Sequence, residues 1–154
     1  MADDRIKIDA VSGTSAGAMN ACAVVEGLAK GGPDAARKKL ETYWRAVSNA
    51  SRFSPIRRSY FDRMMGRWSL ANSPAFMMSK NFLRNFSPYT VNPFGVNPLR
   101  DVVEKSFDFE AINACQSARL FIAATNVRTG RPKVFRQPEI SADAVLASAC
   151  LPFL

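Results

Sequence analysis

Apolar and polar positions divide the first third of the chain into a strand and two helices. Residues 5–11 alternate and then become apolar, which predicts a strand that enters a core. Residues 16–30 have helical composition and stop at the Gly-Gly-Pro of residues 31–33. A second helix is predicted over residues 34–48, with apolar residues at helical spacing at Leu40, Trp44 and Val47.

The last third of the chain predicts helices around a β-hairpin. A helix begins after the Asn-Pro cap at residues 97–98, and residues 108–114 add a short helix. Asp101 and Asp108 are predicted to serve helix N-termini. A buried strand over residues 119–127, a turn, a strand over 133–136 and a final helix over 142–149 capped by Ser141 complete an α/β domain.

The middle of the chain is rich in aromatic residues and methionine, and four prolines cut residues 53–94 into short pieces. One interpretation is a lid or interfacial surface that contacts lipid. The other is that these residues form core and line a groove, with arginines outside. Aromatic and basic residues together also suit single-stranded nucleic acid, but no nucleic-acid motif accompanies them, so we expect no such partner.

Positive charge is concentrated in residues 37–100, which hold twelve Lys/Arg and two acids. This segment predicts contact with an anionic membrane surface, or a basic face that packs against an acidic part of the same protein. No apolar run is long enough to span a membrane, and the first residues do not resemble a signal peptide. We therefore expect a cytoplasmic protein that contacts membranes peripherally.

Three cysteines and no histidine leave no ligand set for a zinc site, so we expect no metal and no cofactor. The cysteines are too far apart and odd in number for a disulfide framework. We expect Cys22, Cys115 and Cys150 to be buried thiols.

Gly13-Thr14-Ser15-Ala16-Gly17 matches the pattern G-x-S-x-G between a predicted strand and a predicted small-residue helix. In hydrolases this pattern places a nucleophilic serine on a sharp strand-to-helix turn, and small residues avoid collisions there. The chain has no histidine, which argues strongly against a Ser-His-Asp triad. A carboxylate can activate serine directly, so a Ser-Asp dyad is the consistent alternative.

The segment VSGTSAGAMNA at residues 11–21 resembles the nucleophile elbow of patatin-like phospholipases, which are Ser-Asp acyl hydrolases. The resemblance continues in NPLRD at 97–101, AATNVRTG at 123–130 and AVLASACLP at 144–152. It implies a three-layer α/β/α fold with a mainly parallel central sheet, incomplete in this chain. It also implies hydrolysis of fatty acyl esters of lipids, with Ser15 as nucleophile and the Ala16 N–H as one oxyanion donor.

Two elements of the family pattern do not occur in residues 1–154. The glycine-rich oxyanion loop of the family lies upstream of the elbow, and its catalytic aspartate lies in a downstream Asp-Gly motif, but the chain contains no Asp-Gly pair. Asp9 and Asp143 have no predicted proximity to Ser15. We therefore expect a partial domain whose base lies outside the chain, and a 154-residue chain that is inactive alone. The alternative is a non-catalytic lipid-surface binding protein or fragment that retains the elbow.

Overall fold

The computed structural model describes residues 7–50 and 98–150, which contain a three-stranded sheet ordered β1-β2-β3. The strands are β1 at Ala10–Gly13, β2 at Arg119–Thr125 and β3 at Pro132–Arg136. β1 is parallel to β2, and β2 is antiparallel to β3, as the predicted hairpin requires. The described sheet is thus mixed, and with its helices it confirms the α/β class as part of an incomplete α/β/α fold.

Helix α1 at Ala16–Ala50 is two helices joined by a break, as the sequence predicts. Gly31 is extended at φ −176°, and Gly32 takes φ 76°, a left-handed conformation that favours glycine. The chain then re-enters helical geometry at Pro33, whose missing N–H is not needed in a first turn. We call residues 16–30 and 33–50 the first and second halves of α1.

The two halves of α1 run antiparallel and in close contact. Near the break, a Cβ built on Gly27 would lie 2.1 Å from Ala36 Cα, so the backbones touch where Gly27 has no side chain. Farther from the break, the Tyr43 hydroxyl donates to Met19 Sδ at 2.8 Å. Burial raises the pKa of Tyr43 to about 12. The halves therefore form a helical hairpin.

A buried carboxylate ties this hairpin to the rest of the fold. Glu26 is 3% exposed and accepts hydrogen bonds from Lys39 Nζ at 2.8 Å, Lys30 Nζ at 3.1 Å and the Asp108 N–H at 3.2 Å. Lys30 also pairs with Asp108 at 2.6 Å, which raises the pKa of Lys30 and lowers that of Asp108. Lys39 also donates to the carbonyl oxygen of Ser106. The buried charge is thus compensated from several directions.

Residues 98–150 contain three further helices: α2 at Pro98–Ser106, α3 at Phe109–Ala114 and α4 at Ala142–Ala149. Asp101 lies in the first turn of α2, and the Asp108 side chain caps α3 by accepting from the Ala111 N–H at 3.0 Å. Ser141 caps α4 by accepting from the Ala144 N–H at 3.3 Å. These caps confirm the predicted starts of α3 and α4, whereas the predicted Asn97 cap of α2 lies outside the described residues.

The core lies between the sheet and the helices. Leu120 and Ile122 of β2 are fully buried and pack with small residues of the first half of α1 and with Val145 of α4. Alternate β2 residues thus face the helices, as the period of two along a strand requires. None of the described helices is long and apolar enough to cross a membrane.

Burial differs from what helical spacing suggests at Trp44, and from the predicted buried thiols at Cys115, which is half-buried, and at Cys150. Trp44 is 40% exposed, with its indole N–H donating to Asn20, while its neighbour Tyr43 is 1% exposed and takes the core position. Cys150 is exposed at the C-terminus of α4, because it follows the last helical turn instead of facing the core. Cys22 is buried as predicted, and burial raises its thiol pKa to about 12.

Some sequence predictions lie wholly or partly outside the described residues. The interpretations of residues 53–94 fall entirely within residues 51–97, which the structure does not describe. The predicted strand at 5–11 is described only from residue 7, and the observed strand begins at Ala10.

Candidate functional site

A sharp turn at Thr14-Ser15 connects the end of β1 to the start of α1. Ser15 has φ 53°, a left-handed conformation that no other non-glycine residue of the described ranges adopts. Such a backbone costs a non-glycine residue about 1–3 kcal/mol and is concentrated at functional sites. Ser15 is also exposed, so this strained position is accessible from solvent.

The two glycines of the motif have different physical roles. A Cβ on Gly13 would lie 2.3 Å from the Gly17 carbonyl oxygen and 2.7 Å from the Ala18 nitrogen, so the helix backbone excludes any side chain there. A Cβ on Gly17 would have no neighbour within 4 Å. The expectation that both positions need glycine to avoid collisions therefore holds for Gly13 and is wrong for Gly17.

Backbone hydrogen bonds close the turn, and within the described residues they leave the Ala16 N–H available for another acceptor. The Gly17 N–H donates to Thr14 O at 2.8 Å, and the Ala18 N–H donates to Ser15 O at 3.0 Å. No acceptor for the Ala16 N–H lies within the part of the chain that the structure describes. Ala16 is the first residue of α1, where helix N–H groups and the helix dipole favour negative charge.

The turn is also held by a residue to which the sequence analysis assigned no role. The Ser15 N–H donates to Ser148 Oγ at 2.9 Å, and the Ser148 hydroxyl donates to the Ala123 carbonyl oxygen at 2.6 Å. Ser148 lies in the last turn of α4 and is half-buried. Ser148 belongs to the segment AVLASACLP at residues 144–152, which resembles the family. No helical or strand pattern in this segment indicates a contact between Ser148 and Ser15.

No carboxylate within residues 7–50 and 98–150 is hydrogen-bonded to Ser15. Asp143 pairs with Arg100 at 2.6 Å, an exposed contact that raises the pKa of Arg100. Asp9 lies 3.9 Å from Lys7 Nζ, and Asp108 caps α3 beside Lys30. The described acids are thus committed to ion pairs or helix starts instead of to the serine.

An open groove of about 420 Å³ adjoins the turn. It is lined by Ser12, Gly13, Thr14, Phe121, Ala123 and Val134. The strand register pairs Ser12 with Phe121 and Ala123 with Val134, so these side chains share the sheet face opposite Leu120 and Ile122. The groove therefore offers an apolar wall directly beside the serine turn.

The basic segment is described only in part. Three of its cations are in ion pairs with carboxylates of the chain: Lys39 with Glu26, Arg45 with Glu41, and Arg100 with Glu104 and Asp143. Within the described ranges, Arg37 and Lys38 have no carboxylate partner. Also within these ranges, no three His, Cys, Asp or Glu side chains lie together as a metal site.

An α/β fold with a strained serine between a strand and a helix is the arrangement found in α/β serine hydrolases. The sequence profile of the patatin-like phospholipase family matches residues 1–154, the whole chain. The chain belongs to this family, whose members are lipid acyl hydrolases. No curated protein and no solved structure matches the chain.

Proposed function

We propose that the protein is a serine acyl hydrolase of the lipase or phospholipase A type, with Ser15 as its nucleophile. The observation that carries this proposal is the left-handed backbone of Ser15, at φ 53° on the turn before a helix N-terminus. Membership of a lipid acyl hydrolase family supports the ester-cleaving chemistry and a lipid substrate.

The proposed reaction has two steps. Ser15 Oγ attacks the ester carbonyl carbon while its proton passes to a carboxylate base, and the carbonyl oxygen becomes an oxyanion near the Ala16 N–H. The C–O bond to the alcohol then breaks, the alcohol takes the proton, and an acyl-serine ester is left. Water, deprotonated by the same base, hydrolyses this ester to release the fatty acid and restore Ser15.

We assign the base to an aspartate outside residues 1–154, which completes a Ser-Asp dyad, so the protein used in the labelling test includes that aspartate. The support is indirect: Asp9 and Asp143 have other partners, and a histidine is absent from the sequence. Asp9→Asn and Asp143→Asn are therefore expected to leave the reactivity of Ser15 unchanged. A loss of reactivity in either variant would contradict the assignment and make that aspartate the base.

The groove beside the turn supports an acyl chain as ligand. Phe121, Ala123 and Val134 give it an apolar wall, which suits a fatty acyl chain whose carbonyl group lies at Ser15. We further propose that the basic segment meets anionic lipid headgroups. Within the described residues this rests on Arg37 and Lys38, since the other cations there are paired with acids.

The rival function is lipid-surface binding without catalysis, in which the serine turn is only a scaffold. The two functions differ in the reactivity of Ser15. We expect a fluorophosphonate probe to add once to the folded protein, at Ser15, and the adduct to be absent from Ser15→Ala. Ser141→Ala is the matched control, because the Ser141 hydroxyl caps α4, does not line the groove and has no bond to Ser15.

Intact mass spectrometry measures the adduct, and fatty acid release from phosphatidylcholine vesicles measures turnover. A folded protein that gives no adduct at Ser15 would refute the nucleophile and favour the binding function. Labelling at Ser15 without fatty acid release from phosphatidylcholine or from triacylglycerol would refute the lipid ester as substrate.

A further inference from the structure

Ser148 connects three elements of the fold at one atom. Its Oγ accepts a hydrogen bond from the Ser15 N–H at 2.9 Å and donates one to the Ala123 carbonyl oxygen at 2.6 Å. Ser15 lies between β1 and α1, Ala123 lies on β2, and Ser148 lies in α4. The hydroxyl uses its single proton toward β2 and a lone pair toward the turn, which fixes its orientation.

The Ser15 peptide needs such a partner more than most peptides do. A left-handed residue does not persist unless its surroundings hold it, and Ser15 has a Cβ that disfavours φ 53°. In the backbone bonds of the turn, Thr14 O and Ser15 O accept from the N–H groups of Gly17 and Ala18. The Ser15 N–H itself donates to Ser148. This bond therefore restrains the peptide that precedes the hydroxyl-bearing carbon.

The contact is also specific to the site and not general packing. The two hydrogen-bonded residues are 133 positions apart in sequence, and Ser148 is half-buried. Val145, three residues earlier in α4, is fully buried and packs in the core. The small hydroxyl side chain thus has a polar function at the position where α4 reaches the turn.

We propose that Ser148 is a positioning residue for Ser15. Ser148 links the Ser15 N–H to the Ala123 carbonyl oxygen of β2. This link keeps the Ser15 hydroxyl and the Ala16 N–H in the arrangement that attack on an ester needs. The role rests on the proposed function of Ser15 as nucleophile. Ser148 itself touches neither the substrate nor the proton in transit.

The test compares two serine hydroxyls on the same helix. Ser148→Ala removes the acceptor of the Ser15 N–H, and Ser148→Thr keeps a hydroxyl at the same position. Ser141→Ala is the matched control, because the Ser141 hydroxyl caps α4 by accepting from the Ala144 N–H and has no bond to Ser15. Both alanine variants lose side chain-to-backbone hydrogen bonds of α4, two in Ser148→Ala and one in Ser141→Ala, so both lower stability.

The first readout is the rate constant of fluorophosphonate labelling at Ser15, compared with the melting temperature of each variant. We expect Ser148→Ala to label about tenfold more slowly, the effect of losing one net hydrogen bond. Ser148→Thr is expected to recover most of the wild-type rate, and Ser141→Ala to label at that rate despite its lower melting temperature. Equal slowing in Ser148→Ala and Ser141→Ala would overturn the proposal, because stability alone would then explain it.

The second readout is hydrogen exchange of the Ser15 amide, which does not depend on catalysis. We expect exchange about tenfold faster in Ser148→Ala and unchanged in Ser141→Ala, since only the former frees that N–H. Unchanged exchange in Ser148→Ala would overturn the positioning role even if Ser15 is labelled. A wild-type protein that is never labelled would instead refute the nucleophile, and faster exchange in Ser148→Ala would then leave Ser148 with a structural role only, which also overturns the proposal.

Discussion

Substituting alanine for each glycine of the G-x-S-x-G motif is expected to change stability in opposite directions. At position 13 the new Cβ would lie 2.3 Å from Gly17 O and 2.4 Å from Gly17 C, where ordinary contact begins at 3.4 Å. At position 17 the new Cβ would have no neighbour within 4 Å, and Gly17 lies in the first turn of α1 without a positive φ.

The geometry sets the magnitudes. In Gly13→Ala, the end of β1 and the start of α1 must separate by about 1 Å, because both contacts are backbone and no rotamer relieves them. Overpacking of this kind costs about 1–3 kcal/mol or more. In Gly17→Ala, the conformational entropy of the unfolded chain falls while the folded helix accommodates the methyl group. The free energy of unfolding therefore rises by about 0.4–1 kcal/mol.

The same displacement should reach the reactive group. A shift of about 1 Å in a reacting group can lower a rate by about a hundredfold, and Ser15 lies between the two backbones that must separate. We therefore expect Gly13→Ala to lose nearly all fluorophosphonate labelling while Gly17→Ala keeps it. The two variants add the same methyl group two residues either side of Ser15, so each is the control for the other.

Urea denaturation of both variants beside the wild type measures the stability change, and intact mass measures labelling. In a domain of this size each kcal/mol moves the melting temperature by about 2–4 °C, so the opposite signs are resolvable. Destabilisation by Gly17→Ala, or a wild-type melting temperature in Gly13→Ala, would show that the turn does not have the described geometry.

Three further outcomes test the structure around the site. Glu26→Gln should lower the free energy of unfolding by about 1–3 kcal/mol, because it leaves two lysines without their buried partner. Glu41→Gln, in an exposed i,i+4 pair, should change that free energy by less than about 0.5 kcal/mol. Equal effects of the two substitutions in urea denaturation would contradict the buried charge cluster. Burial raises the thiol pKa of Cys22 to about 12, so Cys22 should stay unmodified by iodoacetamide at pH 8 in the native state. Cys150 is exposed and should react under the same conditions. Alkylation of Cys22 in the native protein would contradict its burial. Because the pKa of Asp108 is lowered by its hydrogen bond to a lysine, its contribution to stability is present above the ordinary aspartate pKa of about 4 and is lost as pH falls through its folded value. Asp108→Asn keeps the helix cap, so thermal melts should show it less stable than wild type at pH 6 and equal to it in strong acid; a difference that persists in acid would show that the ion pair is not its source.

Local patterns were enough to predict most elements of the fold. The Gly-Gly-Pro break in α1, the hairpin of β2 and β3, and the capped starts of α3 and α4 all follow from residue chemistry within a few positions. These features are set by backbone freedom, missing N–H groups and side-chain capping, and each is visible in a short window of sequence.

Contacts between distant segments could not be predicted in the same way. Helical spacing groups Trp44 with Leu40 and Val47, but the contact between the two halves of α1 buries the neighbouring Tyr43 against Met19. The sequence pointed to Ser15 through its motif, yet Ser148 carries no pattern of its own, because its role depends on where α4 ends relative to β2. The need for glycine at position 13 but not at 17 likewise depends on how closely α1 approaches β1.

The hydrogen bond between Ser15 and Ser148 also bears on the order of folding during synthesis. Since the two residues are 133 positions apart, the serine turn leaves the ribosome long before the hydroxyl that restrains it. At about 5–20 residues per second, the gap lasts from several seconds to half a minute. During that interval the nascent chain holds the motif without its restraint, so the arrangement of Ser15 cannot be completed before α4 has been synthesised.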